Sequence, residues 1–106
     1  MISYLDKQIG DLIKTLKAQG IYENTIIMFS SDNGPTYTGG VNFTFFESSK
    51  PFANGYGRTK GFVHEGGIRV PMIVSWPGEI EAGSTSDHVS AFYDIMPTVC
   101  ELTGAE

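Results

Sequence analysis

Two stretches of this chain carry residue types that could do chemistry. The first, Ser31-Asp32-Asn33-Gly34-Pro35, follows directly on a short apolar run, Thr25-Ile-Ile-Met-Phe-Ser30. A carboxylate beside an amide carbonyl offers hard oxygen ligands suited to calcium or magnesium. The same five residues are ordinary turn formers, so a plain turn stays open beside a metal site. The second stretch is Lys60-Gly-Phe-Val-His-Glu65-Gly-Gly-Ile-Arg69-Val-Pro71. Lys60 could present a point charge to a tetrahedral oxyanion. Glu65 and Arg69 read as a structural pair, or as backbone ligands, at a tight turn that Gly66 and Gly67 allow. His64 could donate a proton, but a single histidine beside Phe62-Val63 reads first as a packing or surface residue.

Charge placement agrees with an anion site. The chain of 106 residues has a formal net charge of −5, which argues against nucleic acid as its main partner. Between Gly34 and Arg69, however, four cations (Lys50, Arg58, Lys60, Arg69) stand against two acids (Glu47, Glu65), a local balance of 4 − 2 = +2. The 41% hydrophobic and 18% charged content fits a soluble globular chain of one domain at most. No apolar run is long enough to span a bilayer, and the first residues lack the pattern of a secretory signal. Cys100 is the only cysteine, which excludes an internal disulfide.

Recognisable elements must hold these residues in place. Ile2, Leu5, Ile9, Leu12, Ile13 and Leu16 recur at three- and four-residue steps and predict a helix over 1–19, with Gly20 as its stop. Gly10 in mid-helix suggests close backbone packing. The run at 25–30 predicts a strand buried on both faces, as in a parallel sheet, and Val70-Pro-Met-Ile-Val-Ser75 predicts a second over 70–75. A last helix fits 93–103, with Pro97 in its first turn. Helix, strand, long loop, strand, helix is α/β order. The intervening loop, 31–69, holds eight of the thirteen glycines and seven of the thirteen aromatics. Its aromatic content speaks for a functional loop and against disorder. Asp32 and Asn33 then stand beyond the carboxyl end of a strand, where open α/β sheets collect ligands.

Taken in order, Ser31-Asp32-Asn33-Gly34, Gly57-Arg-Thr-Lys60, Glu65-Gly-Gly-Ile-Arg-Val-Pro71 and Trp76-Pro-Gly78 closely resemble the arylsulfatase family of the alkaline phosphatase superfamily. Tyr4-Leu-Asp6 with Gly10, and Asp94-Ile-Met-Pro-Thr98, look like that family too, so the resemblance covers essentially the whole chain. It implies the C-terminal part of a sulfatase catalytic domain over 1–106, within an alkaline-phosphatase-like sandwich with a mainly parallel sheet. It also implies that Asp32 and Asn33 ligate a divalent cation, calcium first and magnesium second, that holds sulfate oxygens. Lys60 would be the catalytic and substrate-binding lysine, contacting the sulfate ester and stabilising charge that develops on it. The implied substrate is an aryl or sugar sulfate, and the implied home of the parent is periplasmic, secreted or lysosomal.

The family nucleophile is a formylglycine made from the Cys or Ser of Cys/Ser-x-Pro-x-Arg. Cys100 is followed by Glu-Leu-Thr-Gly, and Ser75-Trp-Pro77 continues into Gly78-Glu79 with no arginine. Formylglycine is therefore expected in the parent and not in this chain, which alone should be inactive. Thr36 stands where many relatives carry histidine, and Asn42-Phe-Thr44 forms a glycosylation sequon. Two other functions stay in view: a phosphate or phosphonate ester hydrolase of the same superfamily, and a noncatalytic module whose aromatic loop binds a glycan or a protein. Open strand edges lead us to expect self-association of the chain.

Overall fold

The computed structural model describes residues 1–40, 42–52 and 56–105. Small parts of the loop expected over 31–69, and the last residue of the 1–106 span, lie outside the described residues. Helix α1 runs Ile2–Ala18, strand β1 Ile27–Ser30, one-turn helices α2 and α3 Phe43–Phe46 and Glu65–Ile68, strand β2 Met72–Ser75, and helix α4 Phe92–Thr103. The apolar stripe accounts for α1. Its end is a Schellman closure: Gly20, at φ +70°, donates to Lys17 O at 3.0 Å, and Ile21 N donates to Leu16 O at 3.1 Å. A single 3₁₀ turn over Tyr22–Asn24 then leads the chain into β1.

β1 and β2 form a two-stranded antiparallel sheet, with Ile27 opposite Ser75 and Ser30 opposite Met72. The parallel sheet expected from the apolar runs is not what these two strands make. An uninterrupted apolar run reports that both faces of a strand meet other elements, and it carries no information about strand direction. Here α1 and α4 flank the two faces across open grooves, and among the described residues neither helix packs on a strand. Ile27, Phe29 and Ile73 share a groove of about 350 Å³ with Leu5, Ile9 and Ile13 of α1. Met28, Met72 and Val74 share one of about 550 Å³ with Ile95, Thr98 and Leu102 of α4. The two helices thus lie on opposite sides of the sheet, each separated from it by an open groove. Among the described residues no apolar side chain is buried, and the strand residues expected to be buried on both faces are half-buried or exposed.

Two local expectations are also corrected. A Cβ at Gly10 would meet nothing within 4 Å, so no neighbour requires glycine there. Pro97 is the sixth residue of α4 and sits in its second turn; counted from the expected start at Tyr93 it would be the fifth, already past the first turn of about 3.6 residues. The observed start is closed by the Asp94 carboxylate, which accepts the Ala91 backbone N–H at 2.7 Å.

The antiparallel register matters for the site. It lays the end of β1 beside the start of β2, and Ser30 Oγ donates to Pro71 O at 2.8 Å across the junction. Both ends of the long loop therefore leave from the same end of the sheet, which brings Ser31–Pro35 next to the segment around Arg69.

Candidate functional site

The two chemistry-bearing stretches are joined by main-chain hydrogen bonds. Gly34 N donates to Gly67 O at 2.8 Å, and Lys60 N donates to Pro35 O at 3.0 Å. Glycine is required at this seam for a steric reason. A Cβ on Gly34 would overlap the Gly66 carbonyl, and one on Gly67 would overlap the carbonyl oxygens of Phe62 and Thr59. All three glycines are buried. Gly66 and Gly67 belong to α3, a single helical turn closed by Arg69 N donating to Glu65 O at 2.9 Å.

Behind the seam lies a cavity of about 850 Å³, lined among others by Asn33, Thr36, Lys50, Phe52, Lys60 and Arg69. The three cations in this wall differ in their commitments. Lys50 is paired with Glu47 at 2.6 Å. Arg69 donates to Glu65 at 2.9 Å and lies 4.7 Å from the centre of the Phe52 ring. Lys60 has no carboxylate partner among the described residues, and its exposed side chain is the cation left to meet an anion. Glu65 and Arg69 are thus an exposed i, i+4 pair across α3, worth little on its own.

Asn33 is half-buried, and its Nδ2 donates to Gly34 O at 2.9 Å, leaving the hard oxygen Oδ1 as the atom that can face a cation. Ser31 Oγ bonds Asn33 O at 2.8 Å and tightens the same turn. Asp32 is exposed and does not line the cavity. The structure therefore brings Asn33 and Lys60 to one wall and leaves Asp32 beside it. Among the described residues no three His, Cys, Asp or Glu side chains gather into a metal-binding group. Asp32 and Asn33 suit calcium in donor type, but two ligands cover only part of a shell of about six to eight oxygens.

Several features escaped the sequence reading. Thr59, next to Lys60, is fully buried, and its Oγ1 has no hydrogen-bond partner among the described residues. Tyr37, Tyr56 and Phe62 form an edge-to-face series, with ring centres 5.0 Å and 6.2 Å apart. Only the glycine and aromatic richness of the loop hinted at either. His64 is the exposed residue preceding α3, and its carbonyl accepts from Gly67 N at 2.7 Å, so its backbone has a structural role here. Asn42 of the sequon caps α2, with Oδ1 accepting from Phe45 N at 2.9 Å.

Comparison with known proteins bears on what this arrangement does. The family model described as Sulfatase matches residues 1–105. The chain is 34% identical over 102 residues to arylsulfatase A of Homo sapiens, covering 95% of this chain and 18% of that protein. It is 35% identical over 100 residues to N-acetylgalactosamine-6-sulfatase of Mus musculus, covering 94% and 18%. An arylsulfatase of Klebsiella aerogenes is 31% identical over 135 residues, covering 100% of this chain and 28% of its own length. The chain thus spans between 18% and 28% of the length of these relatives.

Proposed function

This chain belongs to the sulfatase family, whose members are sulfuric ester hydrolases, and on that premise we propose that it supplies one wall of a sulfate-ester hydrolysis site. Lys60 is the catalytic and substrate-binding residue. Its ammonium holds a sulfate oxygen and offsets the negative charge that grows on the ester as the sulfur–oxygen bond breaks. Asp32 and Asn33 are the two ligands this chain offers a divalent cation, calcium in the first place. When bound, the cation would neutralise sulfate oxygens and polarise sulfur. The nucleophile, a formylglycine by resemblance, comes from outside these 106 residues, as do the remaining metal ligands.

One observation carries the reading. The Asp-Asn-Gly-Pro and Gly-x-x-Lys segments, far apart in sequence, are joined through Gly34–Gly67 at 2.8 Å and Lys60–Pro35 at 3.0 Å, so that Asn33 and Lys60 share a cavity wall. The open grooves on both sides of the sheet support a place within a larger sandwich, whose mainly parallel sheet is implied by the resemblance alone. By the same logic the 106-residue chain, isolated, self-associates through its free strand edges.

The test is hydrolysis of 4-nitrophenyl sulfate by the full-length protein that contains this chain. Lys60→Ala should lower kcat/KM about 100-fold or more, as loss of a donor to a developing oxyanion does. Wild-type activity in that variant contradicts the assignment, and faster hydrolysis of 4-nitrophenyl phosphate would move the site to phosphate esters. The 106-residue chain alone should give no turnover.

A further inference from the structure

We infer that Thr36 is a second anion-binding residue of the Lys60 cavity, its hydroxyl donating to an oxygen of the sulfate that Lys60 holds. The inference rests on the sulfate reading of Lys60 and adds to it a neutral donor. Its first support is placement. Thr36 lines the same cavity of about 850 Å³ as Lys60, and it is half-buried there. It directly follows Pro35, whose carbonyl accepts the Lys60 N–H at 3.0 Å, so the bond that fixes the lysine also fixes the backbone that carries Thr36. No acidic residue is among the described residues lining this cavity, so an oxyanion beside Thr36 meets no carboxylate in the wall.

The second support is the way the Thr36 hydroxyl is already bonded. A threonine hydroxyl has one proton to give and two lone pairs to fill. Thr36 Oγ1 accepts the Thr38 backbone N–H at 3.2 Å, and Thr38 Oγ1 lies 2.9 Å from it. Between the two hydroxyls either can donate. An anion in the cavity decides the direction: the Thr38 hydroxyl fills the second lone pair of Thr36, and the Thr36 proton turns to the oxyanion. Thr38 is exposed, so water meets its own lone pairs. Hydroxyls in series that end on an anion polarise one another and strengthen each bond. Neighbouring donors in the wall are committed elsewhere, Ser31 Oγ to Asn33 O and Asn33 Nδ2 to Gly34 O. A sulfate oxygen carries no proton near neutral pH, so a donor is the group it can use.

The experiment titrates the full-length protein that contains this chain with sodium sulfate, followed by calorimetry. Thr36→Val, close in shape, should weaken binding about tenfold, the loss of one hydrogen bond to a charged group. Thr36→Ser should restore it, since serine offers the same donor and acceptors. Thr38→Val keeps the backbone N–H but removes the relayed hydroxyl, and should weaken binding about two- to threefold. Thr36→Asp separates a contact with the anion from a role in the turn alone. Its carboxylate accepts the Thr38 N–H and keeps the turn, but it has no proton to give and should bind sulfate more weakly than Thr36→Val. Wild-type affinity in Thr36→Val, or tighter binding by Thr36→Asp than by Thr36→Val, overturns the inference; loss of binding in Lys60→Ala then leaves the sulfate reading standing. No sulfate binding by the wild-type protein, or binding indifferent to Lys60→Ala, overturns both.

Discussion

Replacing Gly34 by alanine tests the seam between the two signature segments. The φ angle at Gly34 is not in the left-handed region, so alanine meets no backbone strain there. The cost is steric. The new methyl would collide with the Gly66 carbonyl, which is main chain within a helical turn and cannot swing aside as a side-chain tip could. Overpacking of this kind costs about 1–3 kcal/mol. Relief by separation stretches the 2.8 Å Gly34–Gly67 bond and adds about 1 kcal/mol. Together these favour opening of the seam by about 2–4 kcal/mol, or about 30- to several hundred-fold in exchange of the amides it protects. The assay is NMR hydrogen exchange at Lys60, whose N–H bonds Pro35 next to the altered residue, with urea unfolding followed by Trp76 emission. Gly20→Ala is the control. It carries left-handed strain at φ +70° in open space, so it should lower overall stability without selectively exposing the Lys60 amide. A Gly34→Ala protein with unchanged Lys60 protection would refute the steric argument.

Three further outcomes follow from individual residues. Thr59→Val, near-isosteric, should be neutral or stabilising by about 1 kcal/mol, because the buried hydroxyl has no partner among the described residues to lose; destabilisation in thermal unfolding would reveal one. Gly10→Ala should raise stability by about 0.5–1 kcal/mol, since helix propensity improves and the methyl meets open space; a fall in Tm would restore the close packing that sequence suggested. The Lys7 and Lys14 ammonium groups, Lys7 foremost, hold the Asp11 carboxyl below its ordinary value. A lowered folded-state value means that this small contribution is present above the unfolded carboxylate range and is lost as pH falls through the folded one. NMR titration of Asp11 should show it rising toward the ordinary range in Lys7→Ala, and by less in Lys14→Ala.

Element positions were legible where one-dimensional patterns suffice. The stripe from Ile2 to Leu16 and the stop at Gly20 encode α1 locally, and the runs before Ser31 and before Trp76 encode the strands. Strand direction was not legible, since Ile27 through Ser30 would look the same in either orientation. Candidate site residues could be named by type, at Asp32, Asn33 and Lys60, but their relative placement could not be read. That placement depends on Gly34 meeting Gly66, a contact between residues distant in sequence whose only trace is the absence of a side chain. The same limit hid the Tyr37–Tyr56–Phe62 series, where aromatic richness was visible and mutual geometry was not. Gly10 and Pro97 show the reverse error, because a glycine or a proline within a helix invites an explanation that its surroundings do not require.

Calcium titration of the 106-residue chain by calorimetry, beside Asp32→Ala and Asn33→Ala, tests the central claim most directly. The account predicts binding of about millimolar Kd, weak because most of the shell comes from elsewhere, and abolished by Asp32→Ala. Binding that survives both substitutions, or no binding at millimolar protein and metal, would contradict a cation half-site at Asp32 and Asn33.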